Sequence, residues 1–294
     1  MKNLFLFVIT AILCYACAEQ SKQNSPMEAT STDNKSTFPE IQEEDVFAGI
    51  NLTVAESKRL IAKGIANYPQ VKNKLEKGII IITSGTTNTY IAEELTGLNA
   101  PHGSFMTGNF IPEGKESIAK NLTRVPNITL INGKQADIDY EEALKMLKDG
   151  DIVFKGGNLL NYEKQQAAVC IGAPDGGTTS RVRAYTGEGK GHLIVPIGLE
   201  KETFGDLNDY ERLFESKNER IAYVPRVWVH QNAEIFTEIE AIKTFADVKV
   251  VPFGSGGIAG REGGVSLAIY GKEEDVQKVL DIVTIIQGEA PFVP

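Results

Sequence analysis

Cysteine and histidine are scarce in this chain of 294 residues, with three of each. His102, His192 and His230 stand far apart with no ligand-spaced partner, and no Gly-x-Ser-x-Gly elbow occurs. That pattern speaks against a resident metal and against a serine triad. Cys170 lies in the apolar run Ala167-Ala168-Val169-Cys170-Ile171 with no histidine nearby in sequence, the setting of an inert core thiol rather than a nucleophile. Basic residues are also short: 30 Lys and Arg against 39 Asp and Glu give a net charge of −9. So acidic a chain is unsuited to general nucleic-acid binding, which draws its affinity from neutralised phosphates. Finally, the apolar run over 4–13 is too short for an ordinary membrane-spanning helix.

That short run belongs to the first targeting signal. Lys2 supplies a positive start, 4–13 the apolar stretch, and Tyr15-Ala16-Cys17 a small residue before a cysteine. The segment 1–17 resembles a bacterial lipoprotein signal peptide, with Cys14 standing where Leu or Val is usual. The resemblance implies cleavage before Cys17, lipidation of that cysteine, and anchoring of the chain to a lipid bilayer in the cell envelope, facing the periplasm or the surface. Cys170 would then be the one remaining thiol, and no internal disulfide could form. Residues 18–44 are rich in Ser, Thr, Asn, Gln, Glu and Pro, a composition that cannot bury a core and reads as a disordered tether.

Folding is expected from about Asp45, with 45–223 as an α/β ligand-binding domain and 224–294 as a C-terminal α+β module. The chain is organised around 78–95, where Ile79-Ile80-Ile81-Ile82 predicts a strand buried on both faces, Ser84 to Asn88 a tight loop, and the residues after it a helix. Thr53-Val54-Ala55-Glu56 predicts a capping box at the head of an earlier helix. Further strands are expected over 128–131, 151–154, 167–172 and 192–197, with helices over 140–147 and 207–214. This alternation predicts an α/β fold with a mostly parallel, Rossmann-like sheet and crossover helices. In the last segment, a helix over 233–245, strands over 248–253 and 264–270 and a helix over 273–286 predict part of a ferredoxin-like module. The glycine-rich stretch 254–264 joins its two strands as a flexible hairpin, the wrong context for dinucleotide binding, although Arg261 and Glu262 could reach into a neighbouring cleft, or into a neighbouring subunit of a homo-oligomer.

Three loops carry the candidate chemistry. They are Ser84-Gly85-Thr86-Thr87-Asn88, Lys155-Gly156-Gly157-Asn158, and Gly176-Gly177-Thr178-Thr179 with Arg181 and Arg183 beyond. In open parallel sheets ligands bind beyond the carboxyl ends of the strands, so these loops are expected to converge on one cleft. Their backbone N–H groups and hydroxyls would hold the oxygens of a small anion, with Lys155 and Arg181 supplying charge and no cofactor called for. The irregular segment 97–122 is expected to fold over this site, and His102 within it is the histidine singled out for acid/base work.

The stretch 77–199 resembles the superfamily of ribose-5-phosphate isomerase, glucosamine-6-phosphate deaminase and coenzyme A transferases. The resemblance rests on Ser84 to Asn88, which matches that family's phosphate loop, on Asp151-Ile152-Val153-Phe154-Lys155-Gly156-Gly157-Asn158, and on the strand from His192 to Glu200. The chain also looks like an uncharacterised bacterial lipoprotein group. Where the isomerases place a catalytic aspartate this chain has Lys155, which removes the base of ordinary isomerase chemistry. Glu163 and Glu200 are the positional candidates for a transferase glutamate. The leading expectation is an envelope lipoprotein that binds a small phosphate- or carboxylate-bearing metabolite. An isomerase, lyase or transferase using Lys155 with Glu163 or His102 stands as its rival, and an assembly scaffold as a third reading.

Overall fold

The computed structural model describes residues 38–292 except 109, 217 and 220. The leader, Cys14, Cys17 and most of the tether lie outside the described residues. From Ile41 onward the chain forms one compact unit. It is a mixed α/β structure with one six-stranded sheet and two three-stranded sheets.

Strand β1 (Val46–Leu52) leads into helix α1 (Val54–Asn67), and α2 (Pro69–Glu76) follows it. The capping box at Thr53 forms as the sequence indicates: Glu56 N–H donates to Thr53 Oγ1 at 3.2 Å and Thr53 N–H to Glu56 Oε2 at 2.8 Å. Then come β2 (Ile79–Ile82) and α3 (Thr86–Thr96). The four isoleucines of β2 are buried, in keeping with stiff branched side chains packed on both faces of a covered sheet.

The six-stranded sheet runs β10-β8-β5-β2-β3-β4, where β3 is Ile128–Ile131, β4 Lys134–Gln135, β5 Ile152–Phe154, β8 His192–Pro196 and β10 Ala233–Phe236. The strands β10, β8, β5 and β2 are mutually parallel. By contrast β3 pairs antiparallel to β2, and β4 returns beside β3 through Asn132-Gly133, both with positive φ. Asn-Gly favours the tight hairpin turn whose twist matches that of the strands. The expectation that 128–131 continues a parallel sheet is therefore corrected; the sheet is mixed.

Two more expectations change in the same way. Strand β7 (Gln166–Ile171) lies in a separate antiparallel sheet, between β6 (Leu159–Asn161) and β9 (Arg226–Val229), so the loop after it does not leave a strand of the main sheet. The segment 233–245 is not one helix. Ala233–Phe236 joins the parallel sheet beside β8, and the helix α7 (Glu238–Lys243) starts only at Thr237, which forms its own capping box with Glu240. Thr237-x-x-Glu240 marks a helix start, and residues before such a cap adopt extended backbone.

The third sheet has the order β1-β12-β11, with β11 Lys249–Ser255 and β12 Val265–Gly271, and β12 runs on to α8 (Glu273–Ile286). Its first strand comes from the start of the folded chain. Helices α4 (Tyr140–Met146), α5 (Gly177–Thr186) and α6 (Leu207–Phe214) complete the set. Among the described residues no helix is long and apolar enough to cross a membrane.

One close approach positions the site described below. A Cβ on Gly64 would stand 2.5 Å from both Cα and Cβ of Ala241. Only glycine lets α1 press so tightly on α7, and that contact brings Ser57 of α1 beside Glu238 at the head of α7.

Candidate functional site

Four parallel strands end at Ile82, Phe154, Pro196 and Phe236, and the residues beyond them line one edge. After β2, Thr83 is fully buried, and both its N–H and its hydroxyl donate to Phe154 O, at 3.1 and 2.8 Å. Asn88 from the first turn of α3 donates to Thr83 O at 2.7 Å and Phe154 O at 3.2 Å, which welds the first and second loops together. Its Oδ1 is buried and has no hydrogen-bond partner among the described residues.

The segment after α3 does fold over the first loop, and in doing so it takes up donors expected for a ligand. Gly85 N–H donates to Phe105 O at 2.9 Å, Ser84 N–H to Asn127 Oδ1 at 2.9 Å, and Ser84 Oγ lies 3.1 Å from Thr107 Oγ1. Thr87 is buried in the same first turn as Thr86, at the head of α3. His102 is engaged apart from Lys155: its Nε2 lies 2.8 Å from Glu93 Oε1, and its ring stacks on Phe292 at 4.7 Å.

In the second loop Lys155 follows β5, its N–H donating to Ile194 O at 3.2 Å. Its ammonium has no acidic partner among the described residues, and burial, with the nearby Lys201 charge, pushes its pKa down to about 8. Gly157 O instead accepts from Lys201 Nζ at 2.8 Å, and Asn158 Oδ1 accepts from Cys170 N–H at 2.9 Å, tying the loop into the β6-β7-β9 sheet. Gly156 O lies 3.2 Å from His230 Nε2. Burial and the Lys155 charge push the His230 pKa down to about 3, so this ring is neutral and Nε2 must carry the proton it shares with the carbonyl.

Two carboxylates complete the edge. Glu238, at the head of α7 and fully buried, accepts from Leu199 N–H through Oε2 at 3.0 Å and lies beside the Ser57 hydroxyl, while among the described residues its Oε1 has no partner at hydrogen-bonding geometry. Glu200, just after β8, likewise has a buried Oε2 without a hydrogen-bond partner among the described residues. A Cβ built on Gly198 would overlap Glu200 Oε2 and lie 3.2 Å from Glu238 Oε1. The two oxygens are thus no more than about 5 Å apart, close enough for the Glu200 charge to disfavour ionisation of Glu238. Burial first, and that charge second, push the Glu238 pKa up to about 7. On α1, within the field of Glu200, Lys58 is only 9 % exposed; burial and Lys201 push its pKa down to about 8 against the pull of Glu200.

The edge therefore joins Lys58, Lys155 and Lys201 with Glu200 and Glu238. Of these Lys155 and Glu200 stand out in the sequence, whereas Lys58, Lys201, Glu238 and His230 do not. The one local clue to Glu238 is the Thr237 capping box, which fixes it at a helix start directly after a strand.

The other predicted residues lie elsewhere. Glu163 is exposed in the turn between β6 and β7. Gly176 packs against the Trp228 indole, Gly177 opens α5, Thr179 is buried, and Thr178 O accepts from Tyr140 OH at 3.4 Å. Arg181, on the surface of α5, pairs with Glu141 at 2.8 Å and Asp175 at 3.5 Å, so its charge is already matched. The third loop is not part of the lysine–glutamate edge.

A more open cleft of about 640 Å³ runs along β4 and the start of α4, lined by Arg124, Asn127, Asp137, Asp139 and Tyr140 among others. Arg124 on its rim is exposed and needs no ligand to satisfy it. Buried charges without partners are costly, so the lysine–glutamate edge is the stronger candidate. Comparison of the chain with family models, curated proteins and solved structures found no match.

Proposed function

We propose that this chain binds a small phosphate- or carboxylate-bearing metabolite at the carboxyl edge of the four parallel strands, with Lys155, Lys201 and Lys58 as its cationic set. The observation that carries the reading is the Lys155 ammonium, desolvated, beside a second lysine and without an acidic partner among the described residues. Such a charge costs stability unless something compensates it, and a bound anion would. The four parallel strands and the ligand edge beyond them suit a Rossmann-like core, and β1, β11, β12 and α8 suit a ferredoxin-like module. With the leader at 1–17, the reading is that of a cell-envelope lipoprotein whose soluble body holds the metabolite.

A second reading, turnover by proton transfer, is favoured by Glu238, whose pKa near 7 lies within reach of both protonation states at neutral pH. In an isomerase, lyase or transferase reaction the acid/base group would then be Glu238 with Glu200, rather than Glu163 or His102.

The test is thermal unfolding of the full chain with inorganic phosphate, phosphosugars, coenzyme A esters and small carboxylates. A ligand at about 100 times its Kd adds about 2.7 kcal/mol to stability. The reading expects such a shift to vanish in Lys155→Ala and Lys201→Ala and to persist in Arg181→Ala. Absence of any shift, or one untouched by the two lysine substitutions, refutes it.

A further inference from the structure

Resting on the anion-binding reading, we propose that Glu200 and Glu238 receive a hydroxyl group of the same ligand, which makes the ligand class a small phosphate or carboxylate that also carries a hydroxyl. The geometry gives the edge two chemically distinct ends. One is cationic, with Lys155 and Lys201 around the Gly156-Gly157 turn. The other is an acceptor end, where Glu200 Oε2 and Glu238 Oε1 are buried and held no more than about 5 Å apart around Gly198, a span that one hydroxyl oxygen bridges with two hydrogen bonds; the Ser57 hydroxyl lies beside Glu238, yet among the described residues neither oxygen has a partner at hydrogen-bonding geometry.

Lys58 is nine-tenths buried; its ammonium lies 5.7 Å from the Phe292 ring, forms no ion pair among the described residues, and feels both Glu200 and Lys201. Asn88 Oδ1, fully buried, is a further acceptor left open at the ends of β2 and β5. Buried acceptors without donors cost stability, and a bare anion would leave those acceptors unsatisfied. An ammonium group on the ligand would add a fourth positive charge beside Lys58, Lys155 and Lys201. A hydroxyl adds no charge and both donates and accepts, so it can donate to one carboxylate and accept from the other when that one is protonated.

The experiment is calorimetric binding to the full chain of matched probes with and without the hydroxyls: glycerol 3-phosphate against n-propyl phosphate, and 3-hydroxybutyrate against butyrate. The wild-type protein is expected to bind the hydroxylated member of at least one pair about tenfold more tightly, the scale of one or two hydrogen bonds to a carboxylate. Glu200→Met keeps the length of the side chain without its acceptors, and it should remove that advantage while n-propyl phosphate binds at least as tightly as to the wild-type protein, because a negative charge beside the anion is gone. Equal affinity within both pairs in the wild-type protein, with binding still lost in Lys155→Ala, overturns the inference and leaves the anion site standing. An advantage that survives Glu200→Met also overturns it. If no probe binds, the anion-binding reading falls and this inference falls with it. The wild-type comparison decides even if the Glu200 variant does not fold.

Discussion

The Glu200 carboxylate occupies the space where a side chain on Gly198 would begin. Gly198 itself has ordinary extended backbone, with φ −75° and ψ 148°, so what demands glycine there is the neighbour and not the torsion angles. That relationship fixes one carboxylate beside the other and defines the acceptor end of the edge.

Gly198→Ala should therefore act on the site more than on the fold. The added methyl can be accommodated by swinging the Glu200 carboxylate away, since the atom it meets is the far end of a flexible side chain. A stability loss of about 1 kcal/mol is expected, at the low end for overpacking, together with loss of any preference for hydroxylated anions. Thermal melts and the matched-probe titration measure both.

Glu238 gives the folded protein a pH dependence of known sign. Its pKa rises from 4.5 to about 7 on folding, so between these values the folded state keeps a proton that the unfolded chain has lost. Stability from this group is full below about 4.5 and has been lost once the pH passes 7, by an amount on the order of 3 kcal/mol. Glu238→Gln should flatten that decline and be the more stable protein at pH 8, as read from urea unfolding midpoints across pH 4 to 8.

For Lys155 the direction is opposite. Its pKa falls from 10.5 to about 8, so the unfolded chain binds the extra proton between those values and stability climbs as the pH rises from 8 to 10.5. Below pH 8 the charge of this half-buried, largely desolvated lysine destabilises the fold in full. Lys155→Met should raise stability at pH 7 by about 2–3 kcal/mol and abolish the climb, while eliminating anion-induced shifts. A gain in stability coupled to loss of binding marks a functional charge; a loss of stability would mean the lysine has a partner that supports the fold.

At Gly64 two effects oppose each other. Alanine is the better helix former by about 1 kcal/mol, yet its Cβ would stand 2.5 Å from the Ala241 backbone on the facing helix. Backbone cannot swing aside, so the clash should win and Gly64→Ala should destabilise by about 1–3 kcal/mol. Because the same contact holds α1 against α7, the variant should also weaken anion binding, measured by the same titration.

Much of the local structure was legible in the residues. The Thr53 capping box, the buried isoleucine strand and the helix at Glu273–Ile286 all follow from short-range chemistry, because caps, branched side chains and a 3.6-residue apolar stripe act within a few positions. The strand at Ala233–Phe236 reads as the start of a helix because four residues carry too little periodicity, and the Thr237 cap that ends the strand is the signal that marks it.

Strand partners were not legible. Nothing local tells β3 to run antiparallel to β2, assigns β7 to a separate sheet, or pairs β1 with β12 at the other end of the chain. Pairing depends on which edges are free once the rest has packed, and this decided the site as well. Lys155 and Glu200 could be picked out because they follow strand-like runs, but Arg181 has the same appearance and is neutralised by Glu141 and Asp175. Lys58 and Glu238 lie 180 positions apart, on helices that meet only because Gly64 fits against Ala241. The sequence by itself determined the elements, the acidic balance and the leader pattern. Only the tertiary structure decided which charges are buried without partners, because burial is a property of the packed whole.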